Sequence, residues 1–212
     1  MHIYKLPKKI ETLIFDIDST LYTNQFYAQE QVDIQIRYFA NLKGISCEEA
    51  RDKIKFYRDE WFKQNGEKIS LGNTLKAFGI SIEESIKWRE KLLKPENFLE
   101  KDERLIGILE ILDKKYNLIC VTNNPVLPAQ KTLKALGIDN FFPKIIGLDT
   151  CKVSKPHEEP FNLACKYTNT KTEYCISIGD RYDIDISLPL KMGMGGILVS
   201  GVEDVYTLPK II

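Results

Sequence analysis

Residues 11–20 read Glu11-Thr12-Leu13-Ile14-Phe15-Asp16-Ile17-Asp18-Ser19-Thr20, a short apolar run that stops at two acids with a single residue between them. The run is too short for a helix and is bounded by polar residues, so it predicts a strand. It does not alternate strictly, as expected where both faces of a parallel sheet are covered. Four later runs share its character: Asn117–Thr122, Lys144–Leu148, Tyr174–Asp180 and Gly195–Ser200. Helical patterns fill the spacers over Val126–Leu136, Glu158–Tyr167 and Asp183–Met192. A further helix, Asp102–Lys115, leads into the second strand with a stripe of Leu105, Ile108, Leu109 and Leu112. Strand–helix alternation of this kind predicts an α/β fold, a doubly wound parallel sheet.

The first interval is different. Asp16 and Asn117 stand 101 positions apart, far more than one crossover helix needs. Amphipathic patterns over Phe26–Leu42, Cys47–Gln64, Thr74–Phe78 and Glu83–Leu92 fill most of it, with breaks at Lys43-Gly44, Asn65-Gly66 and Lys94-Pro95. The expected division is an α/β core of residues 1–21 and 96–212 with a helical subdomain, residues 22–95, inserted after the first strand.

Composition narrows the partners. The 212 residues carry 30 basic and 30 acidic side chains and are 43% hydrophobic. That share supports a real core, and the neutral balance gives no reason to expect nucleic acid or an anionic membrane as a partner. A local basic pocket for one phosphate group remains allowed. The five cysteines are odd in number and scattered, which argues against zinc or a disulfide framework and for a reduced, cytoplasmic chain. No apolar stretch approaches the length of a membrane span, and no signal-peptide core follows the first residues. Oligomeric state is not readable from these patterns.

Ligands of open parallel sheets bind beyond the carboxyl ends of the strands. Asp16 closes the first strand and Asp18 lies just past it, so two carboxylates can enter one site and repel unless a cation binds or one is protonated. After the second strand, Thr122-Asn123-Asn124-Pro125 offers a hydroxyl and a helix start whose free amides suit an anion, with Asn124 as N-cap and Pro125 as first helical residue. Lys155-Pro156 follows the third strand. Gly179-Asp180 and Asp185 follow the fourth, where Asp180 is a hard oxygen donor of the kind Mg2+ prefers and Asp185 can orient a water or pair with Lys155. Asp183 reads as an acid in the first turn of a helix. Singly, each is equally well read as a loop acid, a helix cap or a surface lysine. Their placement at four successive strand ends is what carries the signal.

These motifs resemble the haloacid dehalogenase superfamily of phosphatases, and the helices after the first strand resemble its helical cap. The matching residues are Asp16-Ile17-Asp18-Ser19-Thr20, Thr122-Asn123, Lys155-Pro156 and Gly179-Asp180 with Asp185. The run Phe15–Tyr22, with Met192-Gly193-Met194, is most similar to the pyrimidine 5′-nucleotidase-like branch. Four departures stand out. Ser19 occupies a position usually Gly or Asn, and Glu158 stands where a second Pro is common. Pro189 replaces a frequent Ala and can kink the last core helix, and Asn65–Thr74 is longer than the matching cap loop.

The resemblance implies roles. Asp16 would be the nucleophile, forming an aspartyl-phosphate, and Asp18 the general acid and then base. Thr122, Lys155 and the Asn123 amide would steady the phosphoryl oxygens. Mg2+ would be held by Asp16, the Asp18 backbone carbonyl and Asp180, with Asp185 behind them. Substrate choice would lie with the cap, where Tyr22, Asn24, Tyr57, Arg58, Trp61 and the loop Gly66–Gly72 are candidates. On periodicity, Tyr57 and Trp61 serve equally well as packing residues. His2 and His157 have no assignable role. The substrate expected is a small phosphorylated metabolite, nucleoside 5′-monophosphates first, then phosphoglycolate or sugar phosphates. A phosphomutase needs the same two acids, and a non-catalytic module would be expected to lose one of them.

Overall fold

The computed structural model describes residues 1–66 and 69–212, which group into two compact units, Met1–Gln25 with Pro95–Ile212 and Phe26–Lys94. Residues 22–25 and Pro95, expected in the helical insertion, group with the first unit.

The first unit is built on a six-stranded sheet in the order β1-β6-β5-β2-β3-β4. Its strands are β1 (His2–Lys5), β2 (Thr12–Phe15), β3 (Asn117–Val121), β4 (Ile145–Ile146), β5 (Cys175–Gly179) and β6 (Gly195–Leu198). All neighbours are parallel except β1, which runs antiparallel to β6 at the edge. The sequence pattern missed β1. All four of its residues are exposed, so neither burial nor alternation marks it; His2, given no role, packs edge-on against Tyr4 at 4.2 Å.

Register positions the chemistry. Phe15 lies level with Ile178 on β5 and with Cys120 on β3, so the three strands leave the sheet side by side. Side chains alternate across a strand. Ile14, Ile119 and Val121 meet Phe161 and Ala164 of α8 (Glu158–Thr168) in one buried cluster. Phe15 points the other way and meets Phe142 edge-on at 5.9 Å. The helices α5 (Glu103–Asp113) and α6 (Val126–Ala135) bury Leu105, Leu109, Leu112 and Leu133. Two single-turn helices, α7 (Leu148–Cys151) and α10 (Val202–Val205), complete the connections.

The expected helix 183–192 is broken. A π turn covers Tyr182–Ile186, and only Ser187–Lys191 (α9) is α-helical. Pro189 cannot donate to the carbonyl four residues back, and its ring crowds that position, so a regular helix cannot run through it.

The second unit is all helix: α1 (Gln25–Lys43, beginning one residue before the boundary), α2 (Cys47–Asn65), α3 (Leu71–Ala77) and α4 (Ile82–Leu92). Gly44 and Gly66 take left-handed φ values of 64° and 70° at the breaks, a conformation glycine adopts without strain. Ser46 starts α2 with a full capping box, its Oγ accepting from the Glu49 amide at 3.1 Å while Glu49 Oε2 accepts from the Ser46 amide at 2.9 Å. Such a cap contributes about 1 kcal/mol. Ile36, Phe39, Ala40, Ala50, Ile54, Leu75, Ile80 and Trp88 form this unit's own core. Of residues 66–72, expected as a loop, Leu71 and Gly72 open α3, and Glu67 and Lys68 lie outside the described residues. No helix among the described residues is long and apolar enough to cross a membrane. All five cysteines are free thiols.

Candidate active site

Asp16 follows the last residue of β2 and is 4% exposed; its amide donates to the Ile178 carbonyl at 2.9 Å, fixing the backbone at the strand end. Lys155 is equally buried. Its Nζ donates to Asp16 Oδ1 at 2.8 Å and to Asp185 Oδ1 at 2.7 Å, so one ammonium is held between two carboxylates. The side chain of Asn123 anchors this lysine. Its Oδ1 accepts from the Lys155 amide at 2.7 Å, and its Nδ2 donates to the Lys155 carbonyl at 3.0 Å. Asn123 was expected to act through its backbone amide; the structure gives its side chain the additional task of pinning the Lys155-Pro156 loop.

Asp185 is 1% exposed and receives the Arg181 amide on Oδ2 at 3.1 Å. Gly179 makes room for it, since a Cβ there would stand 2.4 Å from Asp185 Cβ. Oxygens of Asp16, Asp180 and Asp185 lie within 4.8 Å of one another. Asp16 Oδ2, Asp180 Oδ1 and Thr20 Oγ1 are buried without a hydrogen-bond partner among the described residues, and two of these three belong to the acidic cluster. Arg181 approaches Asp180 Oδ1 only to 3.8 Å, beyond hydrogen-bond reach.

Three acids therefore face one lysine. Burial drives the Asp16 carboxyl up to about 7 against the pull of Lys155, and Asp185 and Asp18 push the same way. Burial and Asp185 likewise raise Asp180. Burial opposes the Lys155 ammonium, but Asp16 and Asp185 outweigh it and hold the lysine above its ordinary range. The site is short of positive charge. Orphaned, buried carboxylate oxygens beside uncompensated charge fit a hard divalent cation, with Asp16 and Asp180 as its donors.

Asp18 lies at the margin. Tyr22 donates its hydroxyl to Oδ1 at 2.5 Å, and Asn124 donates Nδ2 to Oδ2 at 2.7 Å. Asn124, expected as a helix cap, is thus a partner of Asp18. Pro125 occupies the N-cap position instead, and Asp149 Oδ1 caps the Val126 amide at 2.9 Å. Thr122 is buried, its Oγ1 accepting from the Asn124 amide at 3.1 Å. Ser19 takes φ 58° in the turn that carries the chain past the acids. His157 also gains a role, its Nδ1 accepting from the Glu159 amide at 3.2 Å as the N-cap of α8.

The remaining candidates scatter. Tyr22 is committed to Asp18, and Asn24 donates to the Phe98 carbonyl at 2.7 Å. Arg58 and Trp61 lie on α2, Arg58 exposed and Trp61 stacked on Tyr57 with centroids 6.3 Å apart. Arg58 borders a cavity of about 400 Å³ within the helical unit, over a floor of Ile36, Ile54 and Ile69.

A mostly parallel α/β sheet with buried acids and a lysine beyond the carboxyl ends of its strands is the arrangement of a protein class suited to an anionic ligand. Comparison with known proteins makes that specific: residues 10–193 match the haloacid dehalogenase-like hydrolase family, and the chain belongs to it. It is 30% identical over 191 residues to a phosphoglycolate phosphatase of Colwellia psychrerythraea, covering 83% of this chain and 78% of that one. It is 25% identical over 204 residues to a glyceraldehyde 3-phosphate phosphatase of Methanothermobacter thermautotrophicus, covering 90% and 86%. Among solved structures, a family phosphatase from Thermococcus onnurineus shares the fold with a TM-score of 0.64 at 20% identity, covering 95% of this chain and 97% of that one.

Proposed function

We propose that the chain hydrolyses phosphomonoesters through an aspartyl-phosphate on Asp16. The observation that carries this reading is the Asp16–Lys155–Asp185 bridge beside the orphaned oxygens of Asp16 and Asp180. Lys155 holds the Asp16 carboxylate in place at the strand end, and that carboxylate attacks phosphorus. As the bond to the leaving oxygen breaks, Asp18 supplies its proton, and Asp18 then takes a proton from the water that releases phosphate. Lys155, Thr122 and the Asn123 amide stabilise the charge on the equatorial oxygens. Mg2+, held by Asp16 and Asp180, would supply the charge that lets a phosphate dianion approach a carboxylate.

Asp18 needs its two tasks separated. With Tyr22 and Asn124 donating to it, its oxygens are presented as acceptors, the form required for the water step. The acid step requires a proton on one of them, which the Tyr22 hydroxyl oxygen can accept by turning, and which Asn124 can accept only by flipping its amide to present Oδ1.

The substrate is a small phosphorylated metabolite. The Colwellia and Methanothermobacter relatives favour phosphoglycolate or a triose phosphate over the nucleoside 5′-monophosphate suggested by the Phe15–Tyr22 run. Free thiols and a neutral charge balance support a cytoplasmic role without nucleic acid or membrane partners. Purified protein should release phosphate from an aryl phosphate with Mg2+, and Asp16→Asn should abolish release. Activity retained in Asp16→Asn would refute the nucleophile; dependence on a bisphosphate without net release would favour a phosphomutase. A screen of phosphate release across metabolites then orders the substrates.

A further inference from the structure

Ser177 lies on β5, 2% exposed and two residues before Gly179. Its hydroxyl donates to the Asp185 backbone carbonyl at 2.7 Å, entirely within the protein interior. In a continuous helix that carbonyl would receive the amide of residue 189, but residue 189 is proline and has no amide proton. The chain opens into a π turn over Tyr182–Ile186, and the Ser187 amide reaches back five residues to Tyr182. Ser177 therefore supplies from the sheet a donor that the helix has lost. Asp185 is the residue so held, and its carboxylate carries Lys155. Gly179 and the Arg181 amide confine the same side chain.

We propose that Ser177 and Pro189 form a compensating pair that positions Asp185, and through it Lys155, so that the lysine meets Asp16. Ser177 is a positioning residue: it touches no reacting atom. The catalytic part of this proposal rests on the phosphatase reading above, whereas the compensation itself does not. If Pro189 creates the need for the Ser177 hydroxyl, restoring an amide at 189 makes that hydroxyl dispensable.

The test compares wild type, Ser177→Ala, Pro189→Ala and the double variant. Two readouts are used: kcat and KM on an aryl phosphate with Mg2+, and the acetylation rate of Lys155 followed by mass spectrometry. Ser177→Ala should lower kcat about tenfold, the scale seen when an outer partner of a catalytic group is lost. Its KM should hold while Lys155 labels faster. Pro189→Ala should stay near wild type, and the double variant should recover both readouts. A double variant as impaired as Ser177→Ala, or a Ser177→Ala indistinguishable from wild type, would overturn the proposal.

Thr170→Ala removes another buried hydroxyl contact, the 2.8 Å bond to Thr12 at the opposite end of the sheet. An equal fall in kcat there would reduce Ser177 to a general stability role and overturn the proposal. If Ser177→Ala does not fold, Ser177→Thr against Ser177→Val, alike in shape and different in the hydroxyl, decides in its place. Equal kcat and labelling in that pair would overturn the idea. Should wild type release no phosphate from any ester, the enzymatic reading fails and Lys155 labelling alone decides the pairing of Ser177 with Pro189.

Discussion

The sheet unit and the helical unit use polar residues in opposite ways. In the sheet unit, Asp16, Lys155 and Asp185 are each under 5% exposed, and each is held by a named backbone or side-chain partner. In the helical unit, Arg58 is exposed, and the Trp61 side chain rests against Tyr57 with no hydrogen bond of its own among the described residues. Buried charge must be paired or satisfied, so its geometry constrains its chemistry. Exposed charge carries no such obligation. The reaction is therefore much better specified by this molecule than the compound on which it acts.

The sharpest way to break the comparison is Lys155→Met. It leaves Asp16 and Asp185 facing each other without their shared cation. Removing one partner of a buried pair costs about 3–5 kcal/mol, and losing a charge-stabilising donor costs about 10²–10³ in kcat. Chemical denaturation of the metal-free variant and aryl phosphate turnover measure the two effects. A variant as stable and active as wild type would remove Lys155 from the site.

Metal removal tests the charge shortage directly. Burial pushes the Asp16 carboxyl up to about 7 in the folded chain, from an ordinary value near 3.8. The folded state then binds more protons than the unfolded state between those values. The stability this group contributes is fully present below pH 3.8 and is lost as pH rises through 7. Asp180 shifts in the same direction. In a chelator, this site's contribution to Tm should therefore fall from acidic to neutral pH. Mg2+, bound by the ionised carboxylates, should raise Tm more at neutral than at acidic pH. Scanning calorimetry with and without Mg2+ measures this, and a cation effect independent of pH would contradict the charge balance described.

Arg58→Ala probes the other side of the comparison. Stability should stay within about 0.5 kcal/mol, as expected for an exposed site. Aryl phosphate turnover should not change. If the helical unit selects the substrate, KM for the preferred metabolite should rise about tenfold, a typical loss for one charged contact. Equal loss on both substrates would instead place Arg58 in the general machinery.

The two regions also differed in how far their sequence could be read. Asp16 and Asp180 were legible because they directly follow the last residues of β2 and β5, where a parallel sheet leaves few places for a side chain to go. Lys155, by contrast, comes nine residues after β4, beyond α7, and Asp185 six residues after β5 within the π turn. The helical stretches of residues 26–92 were legible too, since periodicity and capping are local. What escaped depends on partners distant in the chain. Asn124 reads as a cap, yet it reaches 106 positions back to Asp18 while Asp149 caps the helix. Pro189 announces a kink, but nothing local indicates that the break falls at 182–186 or that Ser177 answers it. The β1 edge is held by backbone pairing with β6 and has no buried side chains to reveal it.

Ser19 gives the smallest effect and the cleanest one. It sits at φ 58°, left-handed territory that costs a residue with a Cβ about 1 kcal/mol relative to glycine. The turn it forms returns the Thr20 and Leu21 amides to the Ile17 carbonyl at 3.2 and 2.9 Å, and so sets where Asp18 emerges. Ser19→Gly relieves the strain but also frees the unfolded chain, which recovers less of that gain than the folded state alone suggests. The expected net is a stabilisation of up to about 1 kcal/mol, read as a higher denaturation midpoint with an unchanged slope. Turnover on aryl phosphate should hold, because the turn keeps its shape and Asp18 keeps Tyr22 and Asn124. A destabilised Ser19→Gly would mean that the serine side chain contributes more to this turn than its backbone strain removes.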